Sequence, residues 1–502
     1  MKRSFKYILI IFLLISIVVG CGNFNHGDNI ENDNHEEIIE YDNVNKLKLD
    51  NYKFMEVKES NDKIKYRILV IDIDPILNDG NIEGVSCRGK TASECLKQNK
   101  TQAINELVKD LNDSSHNYLD VVIEKTEYLN EFPKYKNKVT LKNGRQDYKF
   151  DEETWLDIFK DGWYKGINDE RVQGIGNWFG TFDYDYIIKK LNLVERKNNN
   201  EFDEVWIVNI DPSLTYESIM VGNNSFWMNG EPIEANCKPF KMMNVSISRP
   251  DANFECFGHA TEQLLNNVFA NSNYKEYNAL NWNSGTVTID KSNYNKLSLF
   301  QKFMLTDHQN TINNSGYAGV GNMHYSPNST KDYEWNNKNN KVLSKYSEWE
   351  NYPNLNDSVS TNIFTPSVYM EKTLNGTNSD ARLHHRWWFG LLPHHTGLTS
   401  DGYSNNWWDY YRKNTYITNI VSDEYTQNFN VGDKISISLI LEYSDGTKEN
   451  IEVSLYDQNI EIDNKDLFYV DTTGQIYARK SGKANFVYYR DGVYGEINII
   501  VN

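Results

Sequence analysis

The pattern of apolar and polar positions changes repeatedly along the chain, and each change predicts a different kind of element. Tyr7 to Gly20 is apolar and uncharged, and Lys2, Arg3 and Lys6 precede it. Such a run falls short of the ~20 residues that span a bilayer. From Gly22 to Asn51 the chain turns Asn-, Asp- and Glu-rich, which predicts a flexible tether over 21–51. Apolar runs then return. Tyr66 to Pro75, Asp203 to Ile210 and Met242 to Ser248 are short and bounded by turn or polar residues, as buried strands are. Between and after them, Ala103, Leu107 and Leu111, then Ile187, Ile188 and Leu191, then Ala260, Leu264 and Val268 repeat at helical spacing. Strands alternating with helices predict an α/β core over 52–416 with a mixed or mostly parallel sheet. Within it, 295–416 lacks clean periodicity and carries Trp335, Trp349, Trp387, Trp388, Trp407 and Trp408, so it is expected to be a Trp-rich irregular part. From 417 to 502 the period becomes two. Lys434 to Tyr443 alternates, Ser444 to Thr447 is a hairpin turn, and Glu449 to Leu455 is the returning strand, which predicts an all-β sandwich.

The positive start and short apolar run over 1–20 read as a secretory signal peptide. Its end, Val18-Val19-Gly20-Cys21, resembles the lipobox of bacterial lipoprotein signals. That resemblance implies diacylation of Cys21, cleavage before it, and a lipid bilayer as partner, with the protein anchored to the cell membrane and facing the extracellular side. In the tail, Tyr443 to Thr447 and then Val470, Asp471, Gly474, Ile476, Ala478, Lys480, Gly482 and Ala484 closely resemble bacterial group 2 immunoglobulin-like modules. This likeness covers about 80 residues, the reach of one small sandwich. It implies a spacer or adhesion module and no chemistry. Glu204 to Trp206, Phe257 to Glu262, Gly321 to His324, Trp387 to Phe389 and Asn406 to Trp408 resemble segments of uncharacterised secreted bacterial proteins, which adds compartment only.

Composition narrows the function. Asp plus Glu is 70 against 52 for Lys plus Arg, giving a net charge of −18, so no basic surface dominates and nucleic acid is not expected as a partner. No Gly-rich phosphate loop occurs, so nucleotide binding has no support. Beyond Cys21 stand Cys87, Cys95, Cys237 and Cys256. An even number in an exported chain permits two disulfides. Sequence proximity favours Cys87–Cys95 and Cys237–Cys256, with other pairings and free buried thiols left open. The absence of Cys-x-x-Cys argues against a four-thiolate zinc site.

The strongest chemical constellation runs from Arg249 to Glu262. A strand ending near Ser248, a loop, and a helix beginning around Gly258 would put this stretch at the carboxyl end of a sheet, where α/β proteins bind ligands. His259 and Glu262 are then i and i+3 on one helical face and form half of a zinc site. The expected third ligand is His324, in a Gly-Asn-Pro loop, with His394 and His395 as alternatives. Glu217, Asp251 or Glu255 would serve as base. His-x-x-Glu with a distant His resembles the spacing of zinc carboxypeptidases, but their substrate-carboxylate residues cannot be located, so their activity is not carried over. Asp72, Asp74 and Asp211 end strands and would face the same rim, or else cap the next loop or helix.

A second cluster contains Arg386, Trp387, Trp388, His394, Trp407 and Trp408. Paired Trp beside polar side chains could floor a sugar or peptide site, or could simply be core. No Gly-x-Ser-x-Gly accompanies Asp307-His308, which disfavours a serine hydrolase. The leading expectation is therefore a surface lipoprotein with a metal-dependent hydrolase core, zinc being the expected ion, acting on an extracellular peptide or glycan. The alternative is a non-catalytic adhesin with a Trp-rich ligand platform.

Overall fold

The computed structural model describes residues 59–176, 180–209, 214–271, 291–308, 312–453, 459–471 and 475–502. The signal segment, Cys21, the tether, Asp211 and Gly474 lie outside the described residues.

The strand-like runs build one sheet. Its strands are β1 (Ile64–Ile73), β2 (Leu119–Leu129), β3 (Glu204–Asn209), β4 (Ser218–Gly222), β5 (Ile233–Glu234) and β6 (Phe240–Val245). The spatial order is β2-β1-β3-β6-β4-β5. The first four are mutually parallel, β4 runs antiparallel to β6, and β5 is parallel to β4. β1 is buried without a break from Ile68 to Ile73, where both of its faces are covered. Tyr66, Ile68 and Val70 enter one apolar layer, whereas Leu69, Ile71 and Ile73 enter the other, as the twofold pleat requires.

Helices α1 (Thr101–Ser114) and α2 (Pro250–Val268) cover the first face, with Ala103, Leu107 and Leu111 of α1 and Phe257, Leu264 and Leu265 of α2 in its layer. The Trp-rich part thickens the same layer through α3 (Leu299–Met304), α4 (Asp380–Gly390) and α5 (Trp407–Lys413). Phe303 of α3 meets Trp349, Trp388 and Trp407 edge-on at 5.0, 5.3 and 5.7 Å. Trp388, Trp407 and Trp408 are at most 1% exposed, so they offer no face to a ligand. The stacking floor expected from these three is instead core.

From β7 (Ile417–Val421) onward the described elements are strands, apart from one 3-10 turn over Lys465–Leu467. β8 (Thr426–Phe429) precedes the hairpin of β9 (Ile437–Tyr443) and β10 (Lys448–Val453), turned at Ser444 to Thr447 as anticipated. β11 (Ile460–Ile462), β12 (Phe468–Val470), β13 (Ile476–Ala478), β14 (Gly482–Arg490) and β15 (Val493–Val501) complete it. β7-β9-β10 and β8-β15-β14-β11 form two sheets, antiparallel except where β8 pairs with β15. Ile437, Leu439 and Leu441 from one and Phe486, Ile497 and Ile499 from the other share a single core. Buried Asp491 ties this unit to α5, accepting hydrogen bonds from Tyr410 and from the Ile417 backbone N–H.

Cys87 and Cys95 form a disulfide. Cys237 and Cys256 do not: both are free and buried. Their separation has a simple cause, since Cys237 packs in the layer on one face of the sheet and Cys256 in the layer on the other.

Candidate metal centre

The helix bearing His259 starts earlier than its apolar stripe suggests. Pro250 occupies its first turn, where a missing N–H costs nothing, and Asp251 complements the positive helix end. Asn253 clamps this start onto the sheet, accepting from Ser246 N at 2.7 Å and donating to Ser246 O at 3.0 Å. Two turns that sequence reading leaves in a loop are therefore helical. Glu255 now lies one turn before His259 on the same face, at i and i+4.

His324 arrives on the loop after α3. Gly321 there adopts a left-handed φ of 92°, and a Cβ on it would meet Tyr325 O at 2.3 Å. The Asn322 side chain accepts from the His324 and Tyr325 N–H groups at 3.1 and 3.0 Å, closing a local turn. The loop's carbonyls are held by ring N–H groups. Trp388 donates to Gly321 O at 2.8 Å, His384 to Asn322 O at 2.9 Å, and His385 and Trp335 to Met323 O at 3.0 and 2.9 Å. Burial pushes the His384 pKa down to about 3 and lowers that of His385, so both rings stay neutral and act as fixed donors. Sequence reading missed these roles, because the partners lie about sixty positions apart in the chain.

Three donor atoms converge. His259 Nε2 lies 3.1 Å from His324 Nε2, and Glu255 Oε1 lies 3.8 and 3.6 Å from the same two nitrogens. Among the described residues this Glu/His/His group is the one whose spacing could hold a metal ion. A triangle with these edges has a centre about 2.0 Å from every corner, the length of a zinc–nitrogen or zinc–oxygen bond. The outer nitrogens strengthen the case. His259 Nδ1 meets Glu262 Oε2 at 2.9 Å, and His324 Nδ1 meets Asp332 Oδ1 at 2.9 Å. Carboxylates take the Nδ1 protons, so both rings aim Nε2 lone pairs at one point. Two lone pairs 3.1 Å apart need positive charge between them, a proton or a cation.

The expected residues thus divide. His259 and His324 come together, as anticipated. Glu262 stands outside the convergent group, since its oxygens are spent on His259 and on Met323 N, the latter at 2.9 Å. Glu255, expected as a base, supplies the third donor. Asp251 sits in the first helical turn and joins no part of the cluster. Glu217 is fixed beside the end of β6, where its carbonyl accepts from Asn244 N at 2.9 Å and its carboxylate accepts from Asn229. Burial raises the Glu217 pKa, His259 opposes this, and Glu255 and Glu262 add to it, which places the carboxyl within the field of the centre. Burial alone would depress His259, but Glu255, Glu262 and Glu217 outweigh it and hold its pKa well above normal.

Tyr333 is the residue sequence reading overlooked. Its hydroxyl lies 3.2 Å from His324 Nε2, its backbone N–H donates to His324 O, and its φ of 57° is unusual for an aromatic residue. Half-exposed, it forms the lip of the centre. Asp72 and Asp74 do not reach it, since both bind buried Lys100, at 2.6 and 2.7 Å. His394 also lies elsewhere: with Arg386 and Trp387 it lines a separate cavity of about 360 Å³ that includes none of the three converging residues. Among the described residues, no helix is long and apolar enough to cross a membrane. No protein-family model matches the chain, and neither does any curated protein.

Proposed function

We propose that the chain is a bacterial surface lipoprotein, anchored through Cys21, whose core is a zinc-dependent hydrolase of an extracellular peptide or glycan. The carrying observation is the convergence of Glu255, His259 and His324 on one point with both imidazoles braced by carboxylates. Two nitrogens, one carboxylate oxygen and an open side make up the usual donor set of a catalytic rather than a structural zinc. The chemistry such an ion supplies when bound is Lewis acidity and a water ionised near neutral pH. The chain's own groups do the rest. Glu217, with its raised pKa, takes a proton from the attacking water and returns it to the leaving group. Tyr333, at the lip, donates a hydrogen bond to the oxygen on which charge develops. The all-β tail serves as an immunoglobulin-like spacer, supported by its two sheets around one core.

Metal analysis after chelator-free purification tests this reading. About one ion per chain is expected, lost in both His259→Ala and His324→Ala while the fold survives. Wild-type protein without metal, and with a melting temperature indifferent to EDTA, would end it.

A further inference from the structure

A fourth oxygen stands beside the triangle of Glu255, His259 and His324. Tyr333 Oη lies 3.2 Å from His324 Nε2, and His259 Nε2 lies 3.1 Å from the same nitrogen. Donor atoms held about 2.0 Å from a tetrahedral zinc stand about 3.3 Å from one another. The hydroxyl is thus at a ligand-to-ligand distance. Burial and then the Glu255 carboxylate raise its pKa, ahead of Asp332 and Glu217, which sets it beside a second donor of the group. The ring is held but not locked. Its backbone N–H donates to His324 O at 3.2 Å, and its face packs on the His324 imidazole with centroids 4.4 Å apart. Trp335, itself fixed through Nε1 to Met323 O, meets it edge-on at 5.4 Å. At 51% exposure the ring keeps solvent on its outer side, so it can swing outward without opening the core.

The role of the hydroxyl changes with a cation. Without one it donates to the bare Nε2 of His324, whose Nδ1 proton goes to Asp332. A cation takes that Nε2 lone pair, and the hydroxyl can then offer only its own oxygen. We propose that Tyr333 is the fourth ligand of the resting centre, a stopper that substrate must displace. This deepens the zinc reading and rests on it. Ligands shed protons on binding a metal, so the phenol proton passes to solvent as the oxygen closes on the site and is regained from solvent when it leaves. Displaced, the hydroxyl is again a donor, available to an oxygen on which charge develops. An incoming molecule opens the site only by binding the open form more tightly than the closed one, which excludes small anions in favour of larger substrates with contacts elsewhere.

Two metal-substituted forms of the full chain test this without reference to activity. Loaded with copper(II), the wild type should show a tyrosinate-to-copper absorption band in the visible. Tyr333→Phe should lose that band while still binding about one copper per chain. Loaded with cobalt(II) and titrated with azide, Tyr333→Phe should bind the anion about tenfold more tightly than the wild type, because no closed form competes. Tyr325→Phe removes a different hydroxyl from the same loop and should match the wild type in both measurements. Copper bound by the wild type without the band, or equal azide affinity in wild type and Tyr333→Phe, overturns this inference and leaves the three-residue centre standing. Failure of the wild type to bind either metal overturns the centre itself, and the stopper with it.

Discussion

Gly258 packs against Met323 so closely that a Cβ on the glycine would lie 1.8 Å from Met323 Sδ. The His324 loop is thereby seated on the helix that carries Glu255 and His259, with the Met323 thioether filling the space a side chain at 258 would take. Gly258→Ala should therefore displace the loop and weaken zinc binding at least tenfold in competition with a chromogenic chelator. Helix propensity runs the other way, since Ala favours a helix interior by about 1 kcal/mol over Gly. Unchanged affinity in this variant would show that the loop is free to shift without losing the centre.

Glu262 touches the centre indirectly, at 2.9 Å from His259 Nδ1 and 2.9 Å from Met323 N. It orients one ligand and fixes the loop that delivers the other. Glu262→Gln should lower metal affinity about 10- to 100-fold while leaving the saturating stoichiometry intact, as removal of a ligand's carboxylate partner usually does. Glu255→Gln should instead abolish stoichiometric binding. Equal effects of the two substitutions would show that the division between donor and brace is wrong.

Much of this arrangement is legible in the residues because it is local. β1 is readable as a doubly covered strand since Ile68 to Ile73 is apolar but for Asp72. His259 and Glu262 share a face because three residues span one turn. The start of the helix is harder to place. The apolar stripe is read from Ala260 and the helix from around Gly258, while the first two turns hold Asp251, Asn253 and Glu255, residues that also suit a loop. Reading those turns as loop assigns Glu255 to catalysis instead of to the donor set. The Cys237–Cys256 pairing fails for a different reason. Nearness in sequence carries no information about which side of a sheet a residue faces, and these two face opposite layers. The clamps from His384, His385 and Trp388 depend on chain folding over long range, which no spacing rule encodes.

The cysteines give a test of the fold that is independent of metal. Cys87–Cys95 closes a short loop, and a loop of that size contributes about 2.5 kcal/mol in the chain-entropy picture. Reductant should lower the melting temperature by a few degrees. Cys237 and Cys256 are buried, so under non-reducing native conditions neither should react with a bulky thiol reagent, and both should react once the protein unfolds. Rapid native labelling of Cys256 would place it outside the layer beneath α2.

The charge cluster at the end of β1 predicts a pH effect on stability. Lys100 Nζ binds Asp72 Oδ1 at 2.6 Å and Asp74 Oδ2 at 2.7 Å, and all three side chains are buried. Burial raises the Asp74 pKa most. Lys100 opposes it, and the charges of Asp72 and Glu83 add to it, leaving the group at about 8. In the unfolded chain an Asp titrates near ~3.9. Between those values the folded protein holds a proton that the unfolded chain has released, so stability declines as pH rises from about 4 to about 8 and levels off above. Asp74→Asn keeps the shape and removes the titration. Thermal melts from pH 4 to 9 should show the variant gaining on wild type through this window, with the difference constant beyond it. Parallel melting curves would mean that Asp74 is already ionised at low pH and that Lys100 alone outweighs the burial.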